Sequence, residues 1–189
     1  MASASALSNR NRMEHPMNRT IRSNLVSARS IAAGAWGTLC ALILAPPVLA
    51  SNGCPAAAAI IYFFFSPVCH QMPERSFALL GIPLAVCHRC CGIYLGLFLG
   101  ALLQNPWMHR SPATRRCWVL AATVPLALDA LLPYTGLWVN TGLSRFITGL
   151  WFGIPTASLL VRGIGEFLNE APWQRFALGD SSFRKASYE

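Results

Sequence analysis

The sequence predicts an all-α fold, a polytopic transmembrane helical bundle with four to five spans, and three observations support this prediction. Composition is the first: 54% of the 189 residues are apolar and 12% are charged, about half of the roughly 25% found in soluble domains. The second is the presence of long uncharged stretches such as 30–73 and 90–109, since roughly 20 apolar residues cross a bilayer. The third is that arginines flank these stretches.

Five apolar segments are candidate spans. Only the first fully meets the length requirement, and the second is short and ends at Pro67, so it is either a crossing helix or a re-entrant one. In chain order the candidates are Ile31–Ala50, Ala56–Val68, Cys91–Leu103, Cys117–Leu132 and Phe146–Val161. Clusters of Pro, Gly, Asn and Ser mark the loops between them.

The chain is predicted to have no linker between separate domains. We expect a basic cytoplasmic N-terminal tail (1–30), a transmembrane domain (31–162) containing the Cys/His motif segment 69–96, and a polar C-terminal tail (163–189). An alternative is signal-peptide cleavage after Ala50, because arginines precede the first apolar stretch. The long basic lead-in favours an uncleaved first helix.

Arginine counts predict the orientation. Residues 1–30 hold five arginines, residues 104–116 hold three, and residues 51–73 hold no lysine or arginine. If every basic segment is cytoplasmic, the number of crossings is even. Four spans then result, and residues 69–90 face the outer compartment. The basic residues are scattered and carry no nucleic-acid motif, so we expect the lipid bilayer as partner and no nucleic acid.

Four of the seven cysteines lie within the 23 residues from Cys69 to Cys91, together with His70 and His88. Pro73 suits a helix start and Gly81 a helix end. We therefore predict a two-turn helix over Pro73–Leu80 that folds the chain back and brings Cys69 and His70 toward Cys87 and Cys90.

These motifs resemble a family of bacterial integral membrane proteins known as a domain of unknown function. The resemblance rests on Cys-His-Gln-x-Pro-Glu-Arg-Ser-Phe from Cys69 and Cys-x-Arg-Cys-x-Gly-Ile-Tyr-x-Gly from Cys87, with weaker support from Asp129, Asn140, Arg145, Thr148 and Gly149. It implies a multi-pass protein of the bacterial cytoplasmic (inner) membrane and no particular activity. The pattern does not require Cys91 or His88.

The first interpretation of the cluster is a metal site. A Cys-x-x-Cys pair supplies two thiolates from one turn, and a distant Cys or His completes a shell suited to zinc or iron. The predicted ligands are Cys69, His70, Cys87 and Cys90. Adjacent residues such as Cys69 and His70 seldom both reach one ion. A full shell therefore needs Cys69, Cys87 and Cys90 plus either histidine, His70 or His88, or a solvent molecule.

The second interpretation is thiol–disulfide exchange by Cys87 and Cys90 with Cys69 as partner. A helix N-terminus and a nearby arginine favour the thiolate, and the layout is similar to that of quinone-coupled thiol oxidases. The remaining interpretations are a structural protein, in which buried cysteines pack as small apolar residues, and a small transport-related protein. Whether the chain is an enzyme stays open.

Asp129 lies in an otherwise apolar segment, where a carboxylate costs a few kcal/mol unless it is paired. We predict a structural ion pair with Arg145, at the start of the following span. Glycines repeat every four residues in two spans, a spacing that permits close helix packing within one chain or between copies in a homo-oligomer. These packing glycines are Gly92, Gly96, Gly100, Gly149 and Gly153.

Overall fold

The computed structural model describes residues 2–103, 111–136 and 139–170, and most of them are helical. The helices, in chain order, are α1 (Ala2–Ser51), α2 (Pro55–Phe65), α3 (His88–Leu102), α4 (Pro112–Leu131) and α5 (Gly142–Glu170). The strands are β1 (Ser76–Leu79) and β2 (Ile82–Cys87). Short 3₁₀ turns cover Pro73–Arg75 and Leu132–Thr135.

Three helical segments are long and apolar enough to cross a membrane: Leu25–Ser51, Pro112–Thr135 and Gly142–Leu168. Helices α2 and α3 are apolar but have only 11 and 15 residues. At about 1.5 Å per residue they extend roughly 16 and 22 Å, less than the hydrocarbon thickness of about 30 Å. The structure thus gives a helical membrane protein with three candidate spans by length.

The chain divides into two compact units, Met1–Arg29 with Val161–Glu189, and Ser30–Leu160. In the first unit, Gly165 lies close to Leu25, and Arg162 forms an exposed ion pair of 3.1 Å with Glu166. The second unit contains the helices, the hairpin and the cysteines described below.

The prediction of a helix over Pro73–Leu80 is wrong, because this segment forms a 3₁₀ turn and then a β-hairpin. Strand β1 pairs antiparallel with β2, and Ser76 lies opposite Cys87. Leu80 and Gly81 form the hairpin turn with φ values of 56° and 76°, as a two-residue type I′ turn requires. Gly81 adopts this backbone readily, so it closes a hairpin and does not end a helix.

Helices α3 and α5 run parallel in backbone contact. A Cβ atom on Gly96 would lie 2.6 Å from the Leu150 carbonyl oxygen, and one on Gly100 would lie 2.5 Å from the Ile154 carbonyl oxygen. On the α5 side, a Cβ atom on Gly153 would lie 2.5 Å from the Ile93 carbonyl oxygen. Gly92 and Gly149 make the same kind of close approach, so all five glycines serve contacts within one chain.

Helix α1 runs antiparallel to α3. Gly37 faces the ring of Phe98, whereas Ile43, one to two turns later, shares a buried cluster with Cys90 and Cys91 at the start of α3. The centre of this cluster consists of Ile43, Phe65, Cys69, Leu84, Ala85 and Val86. The core of this unit therefore lies where α1, α2, the hairpin and α3 meet.

We predict that Gly96→Ala lowers stability by about 1–3 kcal/mol, because the added methyl group meets the α5 backbone, which cannot move independently of its helix. Gly34→Ala on α1 is the matched control, since nothing lies within 4 Å of its Cβ position and alanine favours the helix. Thermal unfolding in detergent measures both. Equal stability of the two variants would contradict the close packing of α3 and α5.

Candidate functional site

Three cysteines from three chain segments meet in the second unit. Cys69 follows α2, Cys87 ends β2, and Cys90 lies in the first turn of α3. Their Sγ atoms all lie within 4.8 Å of one another. Cys69 is buried and the other two are half-buried. We call these three residues the cysteine triad.

Short-range structure places each sulfur. The chain turns at the end of α2, where the backbone N–H of Cys69 donates to the Phe65 carbonyl oxygen at 3.0 Å. The antiparallel register of the hairpin then returns the chain to the same level at Cys87. There the backbone N–H of Cys87 donates to the Sγ atom of Cys69 at 3.2 Å. The hairpin, and not a helix, is thus what brings the two motifs together.

Gln71 ties the loop that carries Cys69 to its neighbours. Its side-chain amide donates to the Tyr62 carbonyl oxygen at 2.7 Å and to the Ala85 carbonyl oxygen at 2.9 Å. The Tyr62 hydroxyl in turn donates to the Pro83 carbonyl oxygen. These bonds join α2, the loop and β2 across a mostly apolar region, so they fix Cys69 relative to Cys87.

Hydrogen bonding within the triad favours a thiolate at Cys87. The Cys69 side chain, first, and the Cys90 side chain, second, hydrogen-bond to the Cys87 sulfur and lower the pKa of its thiol well below the usual value, against the opposing effect of burial. A hydrogen bond to the charged form of an acid stabilises that form. These hydrogen bonds therefore favour the thiolate form of Cys87, which is the form that attacks disulfides and ligates cations.

Other residues of the two motifs lie outside the triad. His70 is exposed, although it lines the same cleft as the cysteines. The His88 ring packs edge-on against Phe77 at a centroid distance of 4.3 Å. Cys91 packs against the buried cluster around Ile43. The structure therefore brings together three of the four predicted metal ligands.

Asp129 is paired with Arg89, and the predicted pairing with Arg145 is not what the structure shows. The Arg89 Nη2 atom donates to Asp129 Oδ2 at 2.7 Å, and the carboxylate is 6% exposed. The Arg145 guanidinium instead donates to the Asn140 side-chain oxygen. The parallel packing of α3 and α5 explains why Arg89 takes the place of Arg145 as the partner. It sets the start of α3 beside the start of α5, and α5 begins shortly after α4 ends, so Arg89 lies close to Asp129.

Helix α5 and the segment before it also contribute to the polar cluster, as we call Arg89, Asp129, Asn140, Ser144 and Arg145. The Ser144 hydroxyl donates to Asp129 Oδ1 at 2.7 Å, and the Asn140 side-chain amide donates to the Asp129 carbonyl oxygen at 2.8 Å. Thr141 and Ser144 exchange backbone-to-side-chain hydrogen bonds of 3.1 Å, as in a helix N-terminal capping box. Asp129 thus accepts from α3, from α5 and from the segment before α5.

A cleft of about 670 Å³ joins the triad to the polar cluster. Its lining residues come from the loop after α2, the start of α3, the end of α4 and the start of α5. They include Cys69, Cys87, Cys90, His70, Arg75, Arg89, Asn140, Arg145 and Tyr134. A volume of this size is in the range of small-molecule sites.

Helices that can span a membrane, a partly buried cysteine triad and a polar cleft beside it define a helical membrane protein with a cysteine site. Residues 69–159 match DUF2085, described as a predicted membrane protein family. The chain belongs to this family. The matched region contains the whole triad and the polar cluster.

Two relatives are archaeal. An uncharacterised protein of Methanocaldococcus jannaschii is 35% identical over 96 residues, which cover 49% of this chain and 61% of the relative. An uncharacterised protein of Methanothermobacter thermautotrophicus is 35% identical over 95 residues, which cover 50% of this chain and 86% of the relative. The match thus spans less than two thirds of the first relative, and these relatives do not support a bacterial assignment. No solved structure matches the chain.

Four functional side chains were missed by the sequence analysis. Gln71 and Asn140 appeared only as part of the resemblance, and neither Ser144 nor Arg89 was given a polar partner. One available signal was the run Asn140-Thr141-x-x-Ser144-Arg145 before an apolar segment, because capping residues at a helix start often carry further polar contacts. The partner of Arg89 had no local signal, since Asp129 is 40 residues away.

We predict that Arg89 and Asp129 are energetically coupled. Arg89→Gln and Asp129→Asn should each lower the melting temperature in detergent, because removing one partner of a buried pair costs about 3–5 kcal/mol. The double variant should regain part of the loss. The control cycle combines Asp129→Asn with Arg145→Gln and should be closer to additive. A larger coupling energy between Asp129 and Arg145 than between Asp129 and Arg89 would contradict the pair seen in the structure and support the Asp129–Arg145 pair.

Proposed function

We propose that this membrane protein binds zinc or iron through the thiolates of Cys69, Cys87 and Cys90 at one membrane face. The observation that carries the proposal is the convergence of three sulfurs from separate chain segments to within 4.8 Å. Thiolates at one point repel one another unless a cation or protons lie between them. Soft sulfur ligands select zinc and iron among the common metals.

The sulfur positions fit a metal ion after a small contraction. Zinc–sulfur bonds of about 2.3 Å in a tetrahedron place sulfurs roughly 3.8 Å apart, compared with the upper limit of 4.8 Å in the structure. The hydrogen bond from the Cys87 backbone N–H to the Cys69 sulfur supports the site, because such bonds orient a ligand and stabilise its thiolate. Gln71 supplies further support by fixing the loop that carries Cys69.

Three protein ligands leave one position of a tetrahedron open. The cleft described above borders all three cysteines, so a ligand in the cleft could reach a metal ion held by them. Sites with three protein ligands and an exchangeable fourth are typical of zinc that contacts a substrate, whereas structural zinc has four protein ligands. The arrangement therefore favours a site that meets a small ligand over a purely structural one.

The second candidate function is thiol–disulfide exchange, and the mutual proximity of the three sulfurs, within 4.8 Å of one another, favours it together with the lowered pKa of Cys87. In this alternative the Cys87 thiolate attacks a partner disulfide and forms a mixed disulfide, which Cys90 or Cys69 then resolves. The partner's disulfide is reduced to two thiols while two triad cysteines become a disulfide, so electrons balance. Both candidates use the same residues and differ in whether a metal occupies the triad.

We predict about one zinc or iron per chain in protein purified without chelators. Serine at position 69, 87 or 90 should remove most of this metal, because two remaining thiolates hold an ion weakly. Cys91→Ser is the matched control, since Cys91 is the neighbour of Cys90 and lies outside the triad. Elemental analysis with thiol counting measures both quantities.

Two different results would contradict the metal site. Metal-free protein in which Cys90→Ser traps a mixed disulfide on Cys87 would establish the exchange reaction in place of the metal site. Metal-free protein with three slow-reacting free thiols would contradict both functions.

We further propose four crossings, by α1, α3, α4 and α5. The contacts above bring Ile43 of α1, the end of α4, and the starts of α3 and α5 close to the triad. The other ends of α3 and α4 are joined in sequence by the arginine-bearing segment 104–116. If this segment is cytoplasmic, as the positive-inside rule predicts, the triad lies at the outer face of the cytoplasmic membrane.

Helix α3 is short for a full crossing, and α2 with the hairpin extends its apolar surface at the triad end. Phe63 on α2 and Leu80 at the hairpin turn are 79% and 68% exposed, which is unfavourable in water and favourable in lipid. This arrangement supports a half-inserted α2 and a triad just below the membrane surface.

The orientation is tested at the two ends of α4. In a background with Cys54→Ser and Cys117→Ser, whose own labelling at the triad is measured and subtracted, a membrane-impermeant maleimide should label Tyr134→Cys in intact cells. It should label Ala113→Cys only after the membrane is opened, because the two positions lie at opposite ends of a crossing helix. Exchange of these two patterns would reverse the topology, and equal labelling of both positions would show that α4 does not cross.

A further inference from the structure

The cleft beside the triad is strongly cationic. Of the described residues that line it, Arg75, Arg89 and Arg145 carry guanidinium groups and none carries a carboxylate. The charge of Arg89 is neutralised by Asp129 behind the cleft wall. The ion pairs found in the described part of the chain include neither Arg75 nor Arg145, so two of the arginines that line the cleft have no directly paired carboxylate there.

The negative charge of the triad does not cancel these two guanidiniums. Three sulfurs within 4.8 Å of one another hold at most about one negative charge without a metal, because neighbouring thiolates repel one another. A divalent ion held by three thiolates also leaves one negative charge. The cleft therefore keeps an excess positive charge whether or not a metal is bound.

Arg145 is held in place for binding. Its guanidinium donates to the Asn140 side-chain oxygen, and the Asn140 amide is itself anchored on the Asp129 carbonyl oxygen. Asn140 accepts through only one oxygen, so the other guanidinium N–H groups are available to the cleft. Arg75 also lines the cleft. It belongs to a 3₁₀ turn, next to which the Ser76 hydroxyl donates to the Met72 carbonyl oxygen at 2.9 Å.

We infer that this cleft binds an oxyanion, a phosphate or carboxylate group, between Arg75 and Arg145 and next to the cysteine triad. Guanidinium groups bind such planar or tetrahedral oxygen sets through paired, charge-assisted hydrogen bonds. Two sources share this chemistry, a soluble anion from the outer face and the phosphate headgroup of an anionic lipid. The cleft volume accommodates either a small anion or a headgroup.

The test uses the full-length protein in nanodiscs of zwitterionic lipid at constant ionic strength. Inorganic phosphate should bind, as measured by calorimetry, and Arg145→Gln or Arg75→Gln should each weaken binding about tenfold or more, as expected when one charge-assisted interaction is lost. Arg145→Lys should lose less than Arg145→Gln, because charge remains. Arg116→Gln, an exposed arginine near the opposite end of α4, is the matched control and should bind like the native chain.

A second arm replaces part of the zwitterionic lipid with phosphatidylglycerol. If the lipid headgroup is the source, this lipid should raise thermal stability in the native chain and not in Arg145→Gln, and it should compete with phosphate. Each protein is first checked for native helicity and monodispersity, and Arg145→Lys serves if Arg145→Gln does not fold. Absence of any effect from both phosphate and phosphatidylglycerol, or an equal loss in Arg116→Gln, would overturn the inference.

Discussion

Backbone contact between α3 and α5 is the constraint on which the positions of the cysteine triad and the polar cluster depend. Gly96 and Gly153 allow the two helices to touch at distances where any Cβ atom would collide with the opposing backbone. Because the contact runs through successive turns, it fixes both the parallel direction and the register. Cys90 and Arg89 at the start of α3 and Ser144 at the start of α5 are thereby set on one level. Because the glycine faces of α3 and α5 contact each other within one chain, they are largely covered and leave little surface for contacts between two copies of the chain.

This register makes a buried charge tolerable. A carboxylate near hydrocarbon is stable only with a partner and with its remaining lone pairs satisfied. Asp129 meets both needs through Arg89 and Ser144, which belong to different helices. The ion pair therefore depends on the helix packing, and in return it holds the end of α4 against α3 and α5. Three helices are joined by one side chain at the level where the cysteines meet.

Hydropathy and glycine spacing were readable from the sequence because both are local. Apolar runs mark the long helices, and residues four apart lie on one helical face. The hairpin was misread because Leu80-Gly81 lacks the Asn-Gly or Asp-Gly signature of a two-residue turn, while Pro73 and Gly81 suggested a helix start and end. The partner of Asp129 was predicted wrongly because Arg145 is closer to it in sequence than Arg89 is. The direction of the packed helices, which the sequence does not show, decides which arginine lies beside Asp129 in space.

The hairpin explains why two distant motifs are needed to build one site. A helix after Pro73 would point successive side chains in different directions around its axis. The extended hairpin instead returns Cys87 directly beside Cys69, so the backbone N–H of Cys87 can donate to the Cys69 sulfur. The same fold-back brings Arg75 into the lining of the cleft that Arg145 also borders. In the two proposed roles, a cation at the triad and an oxyanion at these two arginines would occupy one cleft, because the Asp129 carboxylate pairs with Arg89 and not with Arg75 or Arg145. A ligand that has both a group for a metal or thiolate and an oxyanion group would match this charge distribution, and neither half of the cleft alone would select it.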